Sequence, residues 1–182
     1  MAYGAFASMG GLQTSANDYA KYLAWLLSAW PPRDGAETGP VRRSSVRELG
    51  QGSNFVRIRP RYGKSGADAC KLASAYGMGM VVAADCELGT TLFHGGGYPG
   101  YGSHVLLLPD YGIGIFALAN RTYAGPSGAV DECLVAHLGI GGADAGEAEV
   151  AVDAPRLPVA RIAGVHQDHA MQVAREPDAR AQ

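Results

Sequence analysis

The amino-acid sequence predicts an α+β fold in which helices flank an antiparallel sheet. An apolar series with helical spacing lies near the N-terminus, and strand-like segments separated by turn residues begin at Tyr76. The turn Pro109-Asp110-Tyr111-Gly112 lies between two apolar runs, which is typical of an antiparallel hairpin. A chain of 182 residues, 47% of them hydrophobic, is long enough for one domain with its own core and too short for two.

The composition excludes several functional classes. The 15 basic and 17 acidic side chains give a formal net charge of −2, so the chain has no basic field for nucleic acid. No apolar run approaches the ~20 residues of a membrane span, and the first residues carry no export signal. Cys70, Cys86 and Cys133 form an odd set without close spacing, which predicts small buried hydrophobes rather than a disulfide scaffold or a zinc site. Neither a metal nor another cofactor is predicted.

The first helix is predicted to begin after Ser15, because Ser15 and Asp18 form a capping box. Pro31-Pro32 is predicted to end it, because neither proline can continue the hydrogen-bond ladder. The apolar positions with helical spacing are Tyr19, Tyr22, Leu23, Leu26, Leu27 and Trp30.

The segment that follows has weaker patterns. A second short helix is predicted from Ser44 or Ser45, with Glu48 completing a capping box. Residues 50–75 are predicted to form an irregular connection that holds one short strand at Phe55–Ile58.

Four strands are predicted beyond this connection, and the last two are apolar on both faces. Leu106 and Leu108 share one face, and Val105 and Leu107 share the other, as expected in the middle of a covered sheet. The predicted strands are Tyr76–Ala84, Thr90–His94, Ser103–Pro109 and Gly112–Ala119.

A helix at Ser127–Leu138 is predicted to pack on this sheet. Residues 143–182 contain few large apolar side chains and are predicted to be a disordered tail. The domain is therefore predicted to span residues 1–142, with a helical part at 1–50 and the sheet plus C-terminal helix at 76–138. The apolar stripe of that helix consists of Val130, Cys133, Leu134 and Leu138.

A glycine-rich segment, His-Gly-Gly-Gly-Tyr-Pro-Gly-Tyr-Gly-Ser-His, runs from His94 to His104. Glycines just after a strand let a ligand approach the backbone and leave amide N–H groups free to bind it. The imidazole of His94 would lie beside that surface. The alternative interpretation is a flexible glycine turn, with His94 as a partly exposed strand residue.

Six short motifs follow one another along the chain and in this order resemble one protein family. They are Gly10-Gly11-Leu12, Thr14-Ser15-Ala16-x-Asp18, Tyr76-Gly77-Met78-Gly79-Met80, His94-Gly95-Gly96-Gly97, Leu108-Pro109-Asp110-Tyr111-Gly112 and Asn120-Arg121-Thr122. The series resembles the serine β-lactamase and penicillin-binding-protein-like family, in the branch of class C β-lactamases, D-alanyl-D-alanine carboxypeptidases and esterases. The resemblance covers about residues 5–140 and implies a partial β-lactamase/transpeptidase-like fold.

The resemblance also implies roles for individual residues. His94-Gly95-Gly96 matches the family's third active-site motif, which is Lys-Thr-Gly or His-x-Gly. His94 is therefore the implied catalytic side chain, and the Gly97 amide is one of two implied oxyanion-hole donors. The residues implied to contact substrate are Gly95, Gly96, Tyr98 and Tyr101, although the two tyrosines would equally shield the sheet edge.

The sequence departs from the family at the other two motifs. No serine is followed three residues later by lysine, and no tyrosine is followed two residues later by asparagine, so Ser-x-x-Lys and Tyr-x-Asn are both missing. Ser15-Ala16-Asn17 matches a Ser-x-Asn variant, but helix capping accounts for it better. We therefore expect the C-terminal portion of a hydrolase that acts on a small molecule or peptide and is inactive alone. Complete relatives are commonly exported, but the compartment of this chain is not predicted.

Two alternatives stay open. One is a non-catalytic binding or complementation module of the same fold, in which an unpaired sheet edge accepts a second copy or a complementing chain. The other is an α/β-hydrolase esterase with Ser127 in a near nucleophile elbow. Its remaining triad members would be Asp144 or Asp153 and His166 or His169. The predicted antiparallel hairpin argues against this second alternative.

Overall fold

The structure is a computed structural model that describes residues 4, 9–33, 35–37, 39–60, 71–138 and 169–175. Its helices are α1 (Ala16–Leu27), α2 (Arg43–Arg47) and α3 (Ser127–Leu138). Its strands are β1 (Asn54–Pro60), β2 (Lys71–Tyr76), β3 (Val81–Asp85), β4 (Gly89–Tyr98), β5 (Tyr101–Leu108), β6 (Ile113–Ala119) and β7 (His169–Arg175). The strands form one sheet in chain order, and every neighbouring pair is antiparallel. The predicted α+β class with an antiparallel sheet is confirmed.

Helix α1 begins as its sequence predicts. The Ser15 hydroxyl accepts a hydrogen bond from the Asp18 N–H at 3.1 Å and donates one to the Asp18 carboxylate at 2.8 Å. The helix ends at Leu27, three residues before the predicted limit at Trp30, and Ser28 to Trp30 continue with turn hydrogen bonds. Because Ser15 caps the helix, its match to a second active-site motif is explained by local structure.

Helix α2 is in the predicted place, but its N-terminus differs from the prediction. The helix begins at Arg43, and its N-cap residue, Arg42, makes no side-chain capping bond. The Glu37 carboxylate instead accepts a hydrogen bond from the Arg43 N–H at 3.1 Å. This bond satisfies an amide of the first helical turn with a residue from outside the helix. The predicted capping box between Ser44 or Ser45 and Glu48 is therefore wrong, and Glu48 begins a 3₁₀ turn.

The first half of the sheet contains more strand than the sequence predicts. Residues 71–76 were expected to belong mainly to an irregular connection, yet they form β2. The predicted single strand Tyr76–Ala84 is wrong because the chain reverses at Gly77–Met80, where the Gly77 N–H bonds the Met80 carbonyl at 2.9 Å. Gly79 adopts a left-handed φ of 75° in this turn. Residues 61–70 lie outside the described residues.

The β5–β6 hairpin forms the centre of the molecule, as predicted. Its turn residues Pro109–Tyr111 form a 3₁₀ helix, and Gly112 follows in the left-handed conformation. Val105 and Leu107 belong to a core cluster with α1, whereas Leu106 and Leu108 belong to a second cluster with α3. The two helices therefore cover opposite faces of the sheet.

Helix α1 approaches the sheet closely at Gly114 in β6. A Cβ atom at this position would lie 3.1 Å from Leu107 Cδ2 and 3.2 Å from Leu27 Cδ1. The Tyr19 ring packs edge-on against Phe116, with ring centroids 5.0 Å apart. The missing side chain at Gly114 thus provides the space that α1 occupies.

Part of the predicted disordered tail is a strand. Residues His169–Arg175 pair antiparallel with β6 along its whole length, from Ala119↔His169 to Ile113↔Arg175. Backbone pairing needs no large apolar side chains, and β6 would otherwise present an unpaired edge inside the core region. Strand β7 therefore pairs with the edge of β6, and the outer strands of the described sheet are β1 and β7. The remainder of residues 143–182 lies outside the described residues.

The cysteines differ from one another. Cys133 is a buried free thiol, as predicted, and burial raises its pKa to about 11. Cys86 lies exposed in the turn between β3 and β4 and is disulfide-bonded, so the prediction of a buried free side chain is wrong for this residue. Three cysteines cannot all be paired within one chain, but an odd count still allows a single disulfide bond. Cys70 lies outside the described residues.

Within the described ranges, no helix has the length and apolar character needed to cross a membrane.

Candidate functional site

The second half of β4 has a hydrogen-bonded neighbour on only one side. Strand β3 pairs with β4 from Gly89 to Phe93, whereas β5 pairs with it as far as Tyr98. Residues His94 to Tyr98 are all exposed. The glycine run is therefore a strand with an open edge, and the alternative interpretation of a flexible glycine turn is wrong.

His94 is the first residue of this open stretch, and Tyr76 holds its side chain. The Tyr76 hydroxyl lies 3.3 Å from His94 Nε2, and the ring centroids are 6.2 Å apart at an angle of 61°. Tyr76 is the last residue of β2, and the Ser53 N–H bonds its carbonyl at 3.2 Å. Tyr76 therefore limits where the imidazole can point.

The Gly97 amide points away from β5. Tyr98 and Tyr101 close the two-residue turn Pro99-Gly100, and hydrogen-bonded and open pairs alternate along an antiparallel ladder. Gly96 and Ser103 are therefore bonded across the ladder, whereas the next pair, Gly97 and Gly102, is not. The N–H and C=O of Gly97 face the side of β4 that β3 leaves open.

The three glycines that follow His94 differ in how much room surrounds them. A Cβ atom on Gly95 would meet only ordinary contacts, the nearest being His104 Nδ1 at 3.6 Å. On Gly96 it would lie 2.5 Å from the Ser103 hydroxyl, which is the free end of a short side chain. On Gly97 it would lie 2.5 Å from a ring carbon of Tyr123. A side chain at 97 would therefore force Tyr123 to shift, whereas one at 95 would displace nothing.

The loop after β6 covers the tip of the β4–β5 hairpin. The Gly100 N–H donates to the Thr122 hydroxyl at 2.8 Å, and the Tyr123 N–H bonds the carbonyls of Tyr101 and Tyr98 at 3.1 and 3.4 Å. A Cβ atom on Gly102 would overlap the carbonyl oxygen of Ala124. The loop and the hairpin tip thus form one closely packed unit.

Sequence reasoning missed Tyr123. It follows the Asn120-Arg121-Thr122 motif, but its φ of 51° makes it the one non-glycine residue with positive φ among the described residues. Tyrosine is not a residue type that signals this conformation. The one sequence signal for this contact is the high glycine content of the facing hairpin. Two of these glycines, Gly97 and Gly102, leave the space that the loop occupies.

Tyr98 and Tyr101 lie directly opposite each other at the hairpin tip. Tyr98 is 37% exposed and Tyr101 is 65% exposed. Their position beside the open stretch suits contact with a ligand, but they do not cover the edge itself at Gly95 to Gly97, which is exposed.

His104 carries the perturbed histidine pKa of this region. Burial and, to a smaller extent, the charge of His94 lower the pKa of His104 from its ordinary value of 6.5. The centroids of the Phe93 and His104 rings are 6.0 Å apart, and the ring planes meet at 32°. The His104 imidazole therefore lies beside an apolar ring. The structure therefore favours a neutral imidazole at this position.

A comparison with known protein families matches residues 1–139 to the family described as Beta-lactamase. The chain belongs to the beta-lactamase family. The match confirms the family that the six motifs indicate, over nearly the same residues. No curated protein and no solved structure matches the chain.

The α/β-hydrolase alternative does not fit this beta-lactamase family chain. Every neighbouring pair of described strands is antiparallel, whereas a nucleophile elbow joins a strand of a mostly parallel sheet to a helix. Ser127 begins α3 after an irregular loop. Asp144, Asp153 and His166 lie outside the described residues, and His169 begins β7.

Among the described residues, no three His, Cys, Asp or Glu side chains are grouped so that they could hold a metal ion.

Proposed function

We propose that the open stretch of β4 is the substrate-binding strand of a β-lactamase-like serine hydrolase site. In this proposal the Gly97 N–H is one of two donors to the oxyanion that forms during acyl transfer from an amide, an ester or a β-lactam. The observation that supports it best is the exposed Gly97 N–H on the unpaired side of β4, three residues from a histidine held by Tyr76.

The geometry suits an extended substrate. A peptide-like ligand can add to an exposed strand edge through main-chain hydrogen bonds, here to the outward-facing groups of Gly95 and Gly97. A donor fixed in a strand needs no reorganisation when negative charge develops on the substrate oxygen, and removing one such donor typically costs roughly 2.7–4 kcal/mol. His94, Tyr98 and Tyr101 would contact the parts of the substrate beyond the reacting carbonyl.

The proposal requires a nucleophile from outside these 182 residues. A covalent mechanism needs a serine with an adjacent base, and none of the chain's serines has lysine three residues later. The chain alone is therefore expected to bind ligands at the β4 edge without forming an acyl-enzyme.

Covalent labelling tests the missing nucleophile. The full chain is incubated with a fluorescent penicillin and, separately, with a fluorophosphonate, and is then examined by mass spectrometry. We expect no adduct with either reagent. An adduct on any serine would contradict the statement that this chain lacks a nucleophile.

Amide NMR tests the proposed donor. The ¹⁵N-labelled chain is titrated with benzylpenicillin and with an acetylated D-alanyl-D-alanine dipeptide, each a non-covalent ligand here. We expect the cross-peaks of Gly95 and Gly97 to shift while that of Gly114, buried beneath α1, stays in place, and we expect His94→Gln to weaken the effect. Shifts absent at Gly97 with both ligands would overturn the proposal.

A non-catalytic binding module is the second candidate. The specific observation in its favour is that β4 has an open edge while the Ser-x-x-Lys motif is missing from the 182 residues. The two candidates separate when the chain is supplied with a polypeptide that carries Ser-x-x-Lys and the earlier strands of a relative. Restored hydrolysis of a chromogenic cephalosporin supports the hydrolase, and ligand binding without hydrolysis supports the binding module.

A further inference from the structure

We infer that Tyr123 is a positioning residue for the Gly97 amide. The inference rests on the proposed function, because it assigns to Tyr123 the task of fixing the direction of the proposed oxyanion donor. Tyr123 touches Gly97 and the hairpin tip and is therefore argued to act through them, not on the substrate itself.

The backbone of Tyr123 is held in an unfavourable conformation. Its φ of 51° is one that L-residues with bulky side chains rarely adopt, and such conformations persist only where the surroundings enforce them. Two carbonyls enforce it here, because the Tyr123 N–H bonds both Tyr101 O and Tyr98 O, the two residues that close the turn. The cost of this conformation calls for an explanation beyond connecting β6 to α3.

The Tyr123 side chain lies against Gly97. A Cβ atom built on Gly97 would be 2.5 Å from Tyr123 Cδ1 and 3.4 Å from its Cα, so the ring and the backbone of Tyr123 both occupy the space next to this glycine. Gly97 pairs with Gly102 of β5, where the alternation of the ladder places no hydrogen bonds, and β3 does not reach it. Contact with Tyr123 therefore adds a restraint on the strand at the proposed donor beyond the ladder bonds of its neighbours Gly96 and Tyr98.

Neighbouring contacts make the support rigid. The Thr122 hydroxyl accepts the Gly100 N–H at 2.8 Å, and the Ala124 carbonyl lies directly against the Cα of Gly102. These contacts fix the loop on both sides of Tyr123. Tyr123 as a whole residue is 67% exposed, so it is not part of the hydrophobic core.

The test separates the ring from the backbone. Tyr123→Gly removes the ring and adopts a φ of about 50° without steric cost, so the loop should stay in place. Tyr123→Phe keeps the ring and lacks only the hydroxyl. The N–H residual dipolar couplings of Gly97 and Gly95 are measured in all three proteins, because they report bond direction and are insensitive to loss of the ring's magnetic effect.

We expect Tyr123→Gly to change the Gly97 coupling, to leave Gly95 unchanged, and to weaken benzylpenicillin binding by up to about tenfold, the worth of one hydrogen bond. Tyr123→Phe should restore both properties. An unchanged Gly97 coupling in Tyr123→Gly would overturn the inference, as would equal changes at Gly95 and Gly97, which would indicate general loosening of the hairpin.

The inference and the proposed function fail in different ways. If the wild-type chain binds no ligand, the proposed function fails, while the dipolar couplings still decide whether Tyr123 positions Gly97. Should Tyr123→Gly not fold, Tyr123→Asn repeats the test, because asparagine tolerates the left-handed conformation.

Discussion

The two halves of strand β4 differ in their strand neighbours and in their burial. The first half, Gly89–Phe93, pairs with β3 along its whole length and with β5 at Leu92 and Phe93, and Thr91 and Leu92 within it are buried. The second half, His94–Tyr98, pairs on one side and is exposed throughout. The difference comes from strand β3. Because β3 begins at Val81, after the Gly77–Met80 turn, its pairing with β4 stops at Phe93.

This difference shows how the sheet produces a candidate site. Shortening one strand exposes the backbone of the next, and small residues on the exposed part keep that backbone accessible. The cost is lost packing, which the loop around Tyr123 offsets at Gly97 and Gly102. Buried side chains are thus concentrated in the first half of β4, and the proposed binding groups lie in the second.

The largest contrast is expected between Leu92→Ala and Gly95→Ala. Leu92 is fully buried, so its truncation should lower the free energy of unfolding by about 2–5 kcal/mol. Gly95→Ala adds a methyl group in open surroundings and should change it by no more than about 1 kcal/mol. Urea denaturation of both variants measures the difference, and similar losses in both would contradict the division of β4 into two halves.

The next contrast lies within the glycines of the hairpin. Gly102→Ala should destabilise the chain by up to about 3 kcal/mol, because its new methyl group would overlap the backbone carbonyl of Ala124, which cannot move aside like a side chain. Gly95→Ala again serves as the matched control. A Gly102→Ala variant as stable as Gly95→Ala would mean that the loop does not pack on the hairpin as described.

A third test extends the comparison to the other end of the sheet. Deleting residues from 143 onward removes β7 and leaves the edge of β6 unpaired, and β6 is buried along nearly all its length. We expect the shortened chain to associate more than the full chain, because its open edge is apolar and that of β4 is glycine-rich. Light scattering after size-exclusion chromatography measures this. Unchanged mass and stability would show that β7 does not protect β6.

A smaller effect is expected from pH. Because the pKa of His104 is lowered in the folded state, the unfolded chain takes up a proton first as the pH falls below about 6.5. Stability should therefore be greatest above that pH and decline as the pH falls towards the lowered value. His104→Gln should show a shallower decline in urea midpoint between pH 7.5 and 5, and an unchanged decline would exclude His104 as its source.

The smallest effect concerns reactivity alone. Burial raises the pKa of Cys133 to about 11, so its thiolate is scarce at pH 8. Iodoacetamide should leave Cys133 unmodified in the native chain and modify it after denaturation, with Cys86 protected in both states by its disulfide. Mass spectrometry of peptides gives the result. Native-state alkylation of Cys133 at the denatured rate would contradict its placement in the α3 core.

The elements with regular patterns could be predicted from the sequence. The cap at Ser15, the β5–β6 hairpin and the limits of α3 followed from side-chain chemistry and periodicity, because burial on a fixed face imposes both. Strand β2 could not be predicted, since its Lys-Leu-Ala-Ser-Ala-Tyr sequence has little apolar bulk and its pairing comes from neighbours distant in sequence.

The candidate site was predictable as a segment but not as a geometry. The motif pointed to His94–Gly97, yet the open edge depends on where β3 begins, which the sequence pattern placed wrongly. The contacts of Tyr76 with His94 and of Tyr123 with Gly97 join residues 18 or more positions apart. No local pattern encodes such contacts.

The direction of the Gly97 amide is the central claim, and native-state hydrogen exchange tests it most directly. Neighbouring amides in one strand supply the comparison, since Gly96 is bonded to β5 whereas Gly95 and Gly97 face outward. We expect slow exchange at Gly96 and nearly unprotected exchange at Gly95 and Gly97. Protection of Gly97 equal to that of Gly96 would place its N–H in a ladder bond and contradict the account.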